Sequence, residues 1–268
     1  MLRPLLTLIT DFGTREYYVG ALKGSILEVH PEIELVDVSH EVPSHDVLAG
    51  ALTAAGSCPW FPPRTVHLIV VDPGVGSERR VLIAVTDRHR YVAPDNGVLS
   101  LVFRQDPPSR VIAVEAEHYY RHPVCPTFHA RDILGPVAAW LAKGIAVENF
   151  GSEVSDYKLL TLPSPAEESG RLHGRVLHID KFGNIITTFT QRELDEFRTR
   201  HPQWRLRIGN KTVERLVEYY SQGAEGEAIA LTGSSGFLEI AVARRPASQV
   251  LQVSRGMSVV LEPAGAPA

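Results

Sequence analysis

Four short runs concentrate the reactive side chains of the first half of the chain. Thr10-Asp11-Phe12-Gly13 follows an apolar stretch. Asp72-Pro73-Gly74-Val75-Gly76-Ser77-Glu78-Arg79-Arg80 follows a second, and Pro94-Asp95-Asn96-Gly97 a third. Phe128-His129-Ala130-Arg131-Asp132 precedes a helix-like stretch. Brought together, these groups fit two kinds of site. In one, Asp11, Asp72, Asp95 and His129 converge on a divalent cation that promotes hydrolysis. In the other, Asp, Arg and His order a water with no metal present. The residues alone leave both open. Each run also has a purely structural reading. A strand-end aspartate can cap a helix, Gly74 and Gly76 can serve a turn at positive φ, Asp95-Asn96-Gly97 can be an Asx turn, and His129 can be a satisfied core imidazole. Asp132 is placed to cap the helix after it, which leaves His129 and Arg131 for a pocket. The Gly-x-Gly at 74–76 lacks the third glycine of a dinucleotide fingerprint, and there is no Gly-Lys-Ser/Thr phosphate loop. His40, His45 and His118 carry no spacing signal.

The elements that must hold these runs alternate. Leu5–Ile9, Glu34–Val38, Val66–Val71, Val81–Val85, Tyr91–Ala93 and Val111–Val114 read as strands. Glu16–Val29, Asp46–Ala55 and Ile133–Leu141 read as helices. That alternation predicts an α/β domain over residues 1–160, with a mostly parallel sheet and helices on both faces. Ligands in such sheets bind beyond the carboxyl ends of the strands, which makes Asp11 and Asp72 neighbours across one pocket. Residues 161–170, TLPSPAEESG, read as a linker. From 171 to 264 the strands are shorter and bounded by glycine: Gly174–Ile179, Ile185–Phe189, Glu227–Thr232, Phe237–Val242 and Met257–Leu261. They predict a smaller, mainly β, barrel-like domain. Gln191–Phe197 and Val213–Tyr219 read as short helices, and the closing Pro, Ala and Gly residues as a frayed end.

The chain has 268 residues, 44% hydrophobic and 22% charged, with a formal net charge of -4. That is globular composition, with no basic stripe for a nucleic acid and no apolar run approaching the roughly 20 residues of a membrane span. The first apolar stretch is short and soon meets Asp11, so it reads as a strand and not as a signal peptide. Two cysteines, Cys58 and Cys125, without metal-ligand spacing, read as two buried thiols in a reducing, cytoplasmic setting.

Six segments, in order and across both halves, resemble the S-adenosylmethionine (SAM) hydrolases, or SAM hydroxide adenosyltransferases, relatives of the SAM-dependent fluorinase and chlorinase. They are Thr10–Gly24 (TDFGTREYYVGALKG), Val71–Arg80 (VDPGVGSERR), Ala93–Gly97 (APDNG), Thr127–Pro136 (TFHARDILGP), Ile179–Asn184 (IDKFGN) and Gly233–Ile240 (GSSGFLEI). The resemblance implies cleavage of SAM by water to adenosine and L-methionine, with SAM as substrate and neither metal nor other cofactor. It implies a homotrimer whose sites lie between one subunit's N-terminal domain and a neighbour's C-terminal domain. It puts catalysis on Asp72, Arg79 and His129 and the ribose hydroxyls on Asp11. Phe12, Asp95 and Asn96 fall in matching segments and join the substrate-binding set. Asp180, Phe182 and Asn184 match the motif around methionine and adenine, and Ser234, Ser235, Phe237 and Leu238 the loop on the adenine side. Ala130 stands where the family has glycine, and Ala243-Arg244-Arg245 where an asparagine is common. The 96–107 region lacks the loop inserted in the fluorinase. The alternatives are SAM-dependent halogenation and binding of SAM or adenosine without turnover.

Overall fold

The computed structural model describes residues 4–264, so most of the end expected to fray lies outside the described residues. The chain divides into two compact units, residues 1–160 and 161–268. Among the described residues no helix is long and apolar enough to cross a membrane.

The first unit runs β1 (Leu5–Thr10), α1 (Tyr18–Val29), β2 (Glu34–Ser39), α2 (Val47–Ser57), β3 (Val66–Val70), β4 (Val81–Val85), β5 (Arg90–Pro94), α3 (Ser100–Gln105), β6 (Arg110–Ala113) and α4 (Gly135–Ala142). The sheet order is β2-β1-β3-β5-β4-β6. β1 is parallel to β2 and β3, and β3 to β5. β4 is antiparallel to both β5 and β6. The mostly parallel sheet is therefore present, with one reversed strand. Residues 86–89 between β4 and β5 are too few for a crossover and close instead as a hairpin, Thr86 N–H donating to His89 O at 3.0 Å.

Alternation along the central strands fills two cores. Leu6, Leu8, Leu68 and Val70 pack under α1 and α4, which contribute Leu22, Ile26, Val137 and Leu141. Ile9, Ile69, Val71 and Tyr91 pack on the other face with Ala49, Ala54, Val98 and Val102. Asp46 caps α2, its Oδ1 accepting Ala49 N–H at 3.0 Å. The helix α3 gave no sequence signal, because Ser100–Phe103 are buried on all sides and show no periodicity.

The second unit runs β7 (Ala166–Glu168), β8 (Arg171–Ile179), β9 (Ile185–Thr190), α5 (Gln191–Arg200), β10 (Trp204–Ile208), β11 (Lys211–Val213), β12 (Ala228–Thr232), β13 (Phe237–Val242), α6 (Ala247–Val250) and β14 (Ser258–Pro263). Its sheet order is β11-β10-β14-β8-β9-β13-β12, with β7 paired to β8 inside the stretch whose composition reads as linker. Leu216 bridges Ala230 of β12, which brings the two sheet edges together into a nearly closed barrel. A capping box between Thr190 and Glu193 starts α5, which covers the helix expected over Gln191–Phe197. The helix expected over Val213–Tyr219 does not form. Val213, Leu216 and Val217 have helical spacing, but the backbone there is spent on β12: Val217 N–H and Arg215 O both bond to Ala230 at 2.9 Å.

Candidate active site

β1 and β3 lie side by side and parallel, so Asp11 and Asp72 emerge from the same edge of the sheet. Both line one cavity of about 440 Å³, together with Phe12, Tyr18, His45, Phe128 and His129. Asp72 and Arg79 are nearly buried, with side chains 5% and 6% exposed. Arg79 Nε donates to Asp72 Oδ1 at 2.9 Å and Oδ2 at 2.8 Å, and its Nη2 lies 2.5 Å from Oδ2. The same Nη2 is 3.1 Å from His129 Nδ1. A guanidinium can only donate, so Nδ1 accepts and the imidazole proton sits on Nε2. Burial, aided by the charge of Arg79, holds His129 below its ordinary value and keeps the ring neutral.

Two loops make this trio possible. Residues 72–79 turn tightly: Val75 N–H donates to Asp72 O at 3.2 Å, Ser77 N–H to Gly74 O at 3.1 Å, and Ser77 Oγ to Gly74 O at 2.7 Å. Of the two glycines only Gly76 has positive φ, +80°, and a Cβ there would lie 2.7 Å from Pro126 O. That close approach brings the Arg79 loop against the loop that carries His129. The second loop is fixed by Asp132. It does not cap α4 and does not leave Arg131 free. Residues 130–134 form a π-helical turn. The fully buried Asp132 takes Arg131 Nε and Nη2, each at 2.7 Å, and Cys125 N–H at 2.9 Å. Cys125 is only partly buried, unlike Cys58.

Asp11 Oδ2 accepts His45 N–H at 2.8 Å. His45 adopts φ 65° to make that contact and lines the cavity, although nothing in its spacing marked it. Behind Asp11, Thr10 Oγ pairs with His40 Nδ1 at 2.9 Å, and His40 Nε2 lies 3.0 Å from Asp37. Tyr18, Ser44 and Thr127 also line the cavity without having been singled out. Tyr18, Phe12 and Phe128 pack ring to ring at 5.4 to 6.0 Å between centroids.

Asp95 and Asn96 do not line this cavity. Asp95 is buried, accepting Arg80 Nε and Nη2 at Oδ2 and Lys158 N–H at Oδ1. Asn96 donates to Val71 O at 2.8 Å and accepts Val98 N–H at 3.1 Å, which is the Asx turn. Each anchors the strand ends from behind. Among the described residues no three of His, Cys, Asp and Glu gather where they could hold a metal ion.

In the second unit Asp180 organises the turn between β8 and β9. Its Oδ1 accepts the N–H groups of Phe182 and Asn184 at 2.9 and 2.8 Å, and its Oδ2 accepts Asn184 Nδ2 at 2.9 Å. The turn leaves Phe182 76% exposed at its tip. Ser234 and Ser235 lie between β12 and β13, and Ser235 Oγ is buried with no partner. Phe237 is half-buried, and Leu238 points into the core of the unit.

Residues 6–151 match the model of the SAM hydroxide adenosyltransferase N-terminal domain, and residues 174–260 that of the C-terminal domain. The (R)-S-adenosyl-L-methionine hydrolase of Thermus thermophilus is 35% identical over 97% of this chain and 100% of its own. The (R)-S-adenosyl-L-methionine hydrolase of Methanocaldococcus jannaschii is 33% identical over 93% of this chain and 92% of its own. A solved structure of an uncharacterized conserved protein from Thermotoga maritima superposes with a TM-score of 0.88 at 32% identity, over 96% of this chain and 99% of the other.

Proposed function

This chain belongs to the SAM hydroxide adenosyltransferase family, and from that premise we propose that Asp72, Arg79 and His129 place the water with which it cleaves SAM. The protein is a SAM hydrolase. A C5'–O bond forms at the ribose as the C5'–S bond breaks. The sulfur keeps the bonding pair and leaves as the thioether of L-methionine, and adenosine and one proton are the other products. A sulfonium needs no general acid, because its leaving group is neutral. The demand falls on the nucleophile, which must sit in line behind C5' and lose a proton as it attacks.

The observation that carries this reading is the single guanidinium joined from behind to both Asp72 and His129, which line one cavity with Asp11. A carboxylate has about four lone-pair positions. Arg79 occupies some of them and leaves room for a water to donate to Asp72. His129, with its proton on Nε2, offers a donor to the same water. The trio acts mainly by orientation, which alone supplies several kcal/mol. Asp11 accepts the ribose 2'- and 3'-hydroxyls, with its other contact to His45 N–H setting its rotamer. Phe12 flanks the sugar. Asp95 and Asn96 act through the strand ends they anchor.

The rest of the substrate is held by the second unit of a neighbouring subunit in a homotrimer. Asp180, Asn184 and Phe182 serve the methionine and adenine, Ser234, Ser235 and Phe237 the adenine edge, and buried Leu238 supports that loop. Chromatography of EDTA-treated protein incubated with SAM tests the chemistry: wild type yields adenosine and methionine in equal amounts, and Asp72→Asn yields neither. Products that vanish on EDTA treatment would remove the metal-free reading. Mixing Asp72→Ala with Asp180→Ala subunits after partial unfolding and reassembly tests the shared site. Recovery of part of the activity supports it, and none overturns it.

A further inference from the structure

The first unit has a second cavity, of about 280 Å³, walled by Ala55, Tyr91 and Val102 and edged by Arg88, His89 and Asp106. Those residues sit where α2 and α3 end and β5 begins. The catalytic cavity opens at the carboxyl ends of β1 and β3. This one lies at the amino end of β5, toward the opposite edge of the sheet, and shares no residue with it. It therefore belongs to no part of the reaction described above.

Two of its polar side chains hold atoms without a partner. His89 is 2% exposed, and neither its Nδ1 nor its Nε2 has a hydrogen-bond partner; Asp106 Oδ2 is buried and equally unpartnered. The ring of His67, whose Nε2 is also unpartnered, stands 4.8 Å away. Each such atom left without a partner bears its desolvation uncompensated. The cavity, of about 280 Å³, is too large for one bridging water to fill. It is also near the small end of the range for ligand pockets, roughly 300–1,000 Å³, which favours a small guest.

We propose that this cavity is a ligand site for a small, neutral N-heterocycle bearing an amino group. A neutral imidazole offers one donor and one acceptor, and Asp106 Oδ2 offers a second acceptor. The two ring nitrogens point away from each other, so one guest meets one of them. Met by its N–H, with Asp106 Oδ2 alongside, the guest must return one acceptor and one donor along one edge, as a ring nitrogen beside an amino group does. The charges of Arg88 and Asp106 cancel, so no net charge is asked of the guest. Tyr91, Ala55 and Val102 leave apolar walls for a flat ring.

The test is calorimetric titration of the full-length protein with 2-aminopyrimidine, and with 2-methylpyrimidine as the shape-matched probe without N–H donors. Binding of the amino compound, weakened about tenfold or more by the methyl replacement, by His89→Phe and by Asp106→Asn, is the expected result. His89→Phe keeps the ring and removes both orphaned nitrogens, so it folds and retains SAM turnover; Asp11→Asn leaves the binding intact. No heat with either probe, or binding kept in His89→Phe and lost in Asp11→Asn, overturns the proposal. The first outcome makes the cavity a solvent pocket, and the second returns the probe to the catalytic cavity.

Discussion

Arg79 carries the geometry of the site, because one planar fork spans two partners at fixed directions. A lysine has the charge but not the fork. Arg79→Lys is expected to lower kcat by about 10²-fold or more, within the range general acid–base groups supply, while KM for SAM changes little, since Asp11 and the adenosyl contacts remain. Steady-state kinetics separates the two. A large KM effect with kcat intact would make Arg79 a binding group. At this scale the sequence told a good deal. Asp11, Asp72 and His129 were legible because each stands just beyond a strand or before a helix; Arg79 precedes a strand and entered only through the family resemblance. His45 was not, because what puts it in the cavity is a positive φ and a backbone bond to Asp11, and neither leaves a trace in spacing. The exchange at Arg131-Asp132 was illegible for a related reason: whether an aspartate caps a helix or pairs with its neighbour depends on the π-helical turn.

Between residue and molecule stand the two loops that converge on the water. Gly76→Ala places a methyl 2.7 Å from a backbone oxygen at a φ of +80°, so the 72–79 and 126–129 loops must part. Gly74→Ala meets nothing closer than Ser77 Oγ at 3.5 Å, an ordinary contact. The expected outcome is a loss of kcat of about tenfold or more in Gly76→Ala, from a displacement of roughly 1 Å, and near-normal turnover in Gly74→Ala. Equal rates in the two variants would show that the close approach does not matter. Asp132→Asn weakens the other loop. It takes away the only carboxylate that Arg131 pairs with in the described structure, at a cost of about 3 kcal/mol, read as a lower denaturant midpoint with unchanged slope. Most elements were legible as strands and helices, because their apolar periods are clean. The reversed strand β4 and the failed helix at 213–219 were not, since loop length and edge closure decided them.

At the scale of the whole molecule the two units lean opposite ways with pH. In the first, burial and the adjacent His89 push His67 down from 6.5 to about 3. The unfolded chain therefore binds the extra proton between those values. His67 contributes its full stability above about 6.5 and loses it as pH falls toward 3, by up to about 1.4 kcal/mol per pH unit. His89, also lowered by burial, adds in the same direction. In the second unit burial, with the nearby charge of Asp180, raises Glu239 above its ordinary value although Tyr220 donates to it. Here the folded state holds the proton more tightly, so the contribution is present below about 4.5 and is lost as pH rises through the folded value. The carboxylates held low by ion pairs, such as Asp37 and Asp132, titrate below this window. Between pH 7 and pH 5 the histidines and Glu239 thus pull apart. Native-state hydrogen exchange, corrected for intrinsic rates, reads each unit separately. Protection in β3 and β5 is expected to fall by about 2 kcal/mol, roughly thirtyfold, while β9 and β13 hold or gain. Glu239→Gln should abolish the gain in the second unit and leave the loss in the first. Equal losses in both units at pH 5 would mean that neither buried histidine nor buried glutamate governs the acid response.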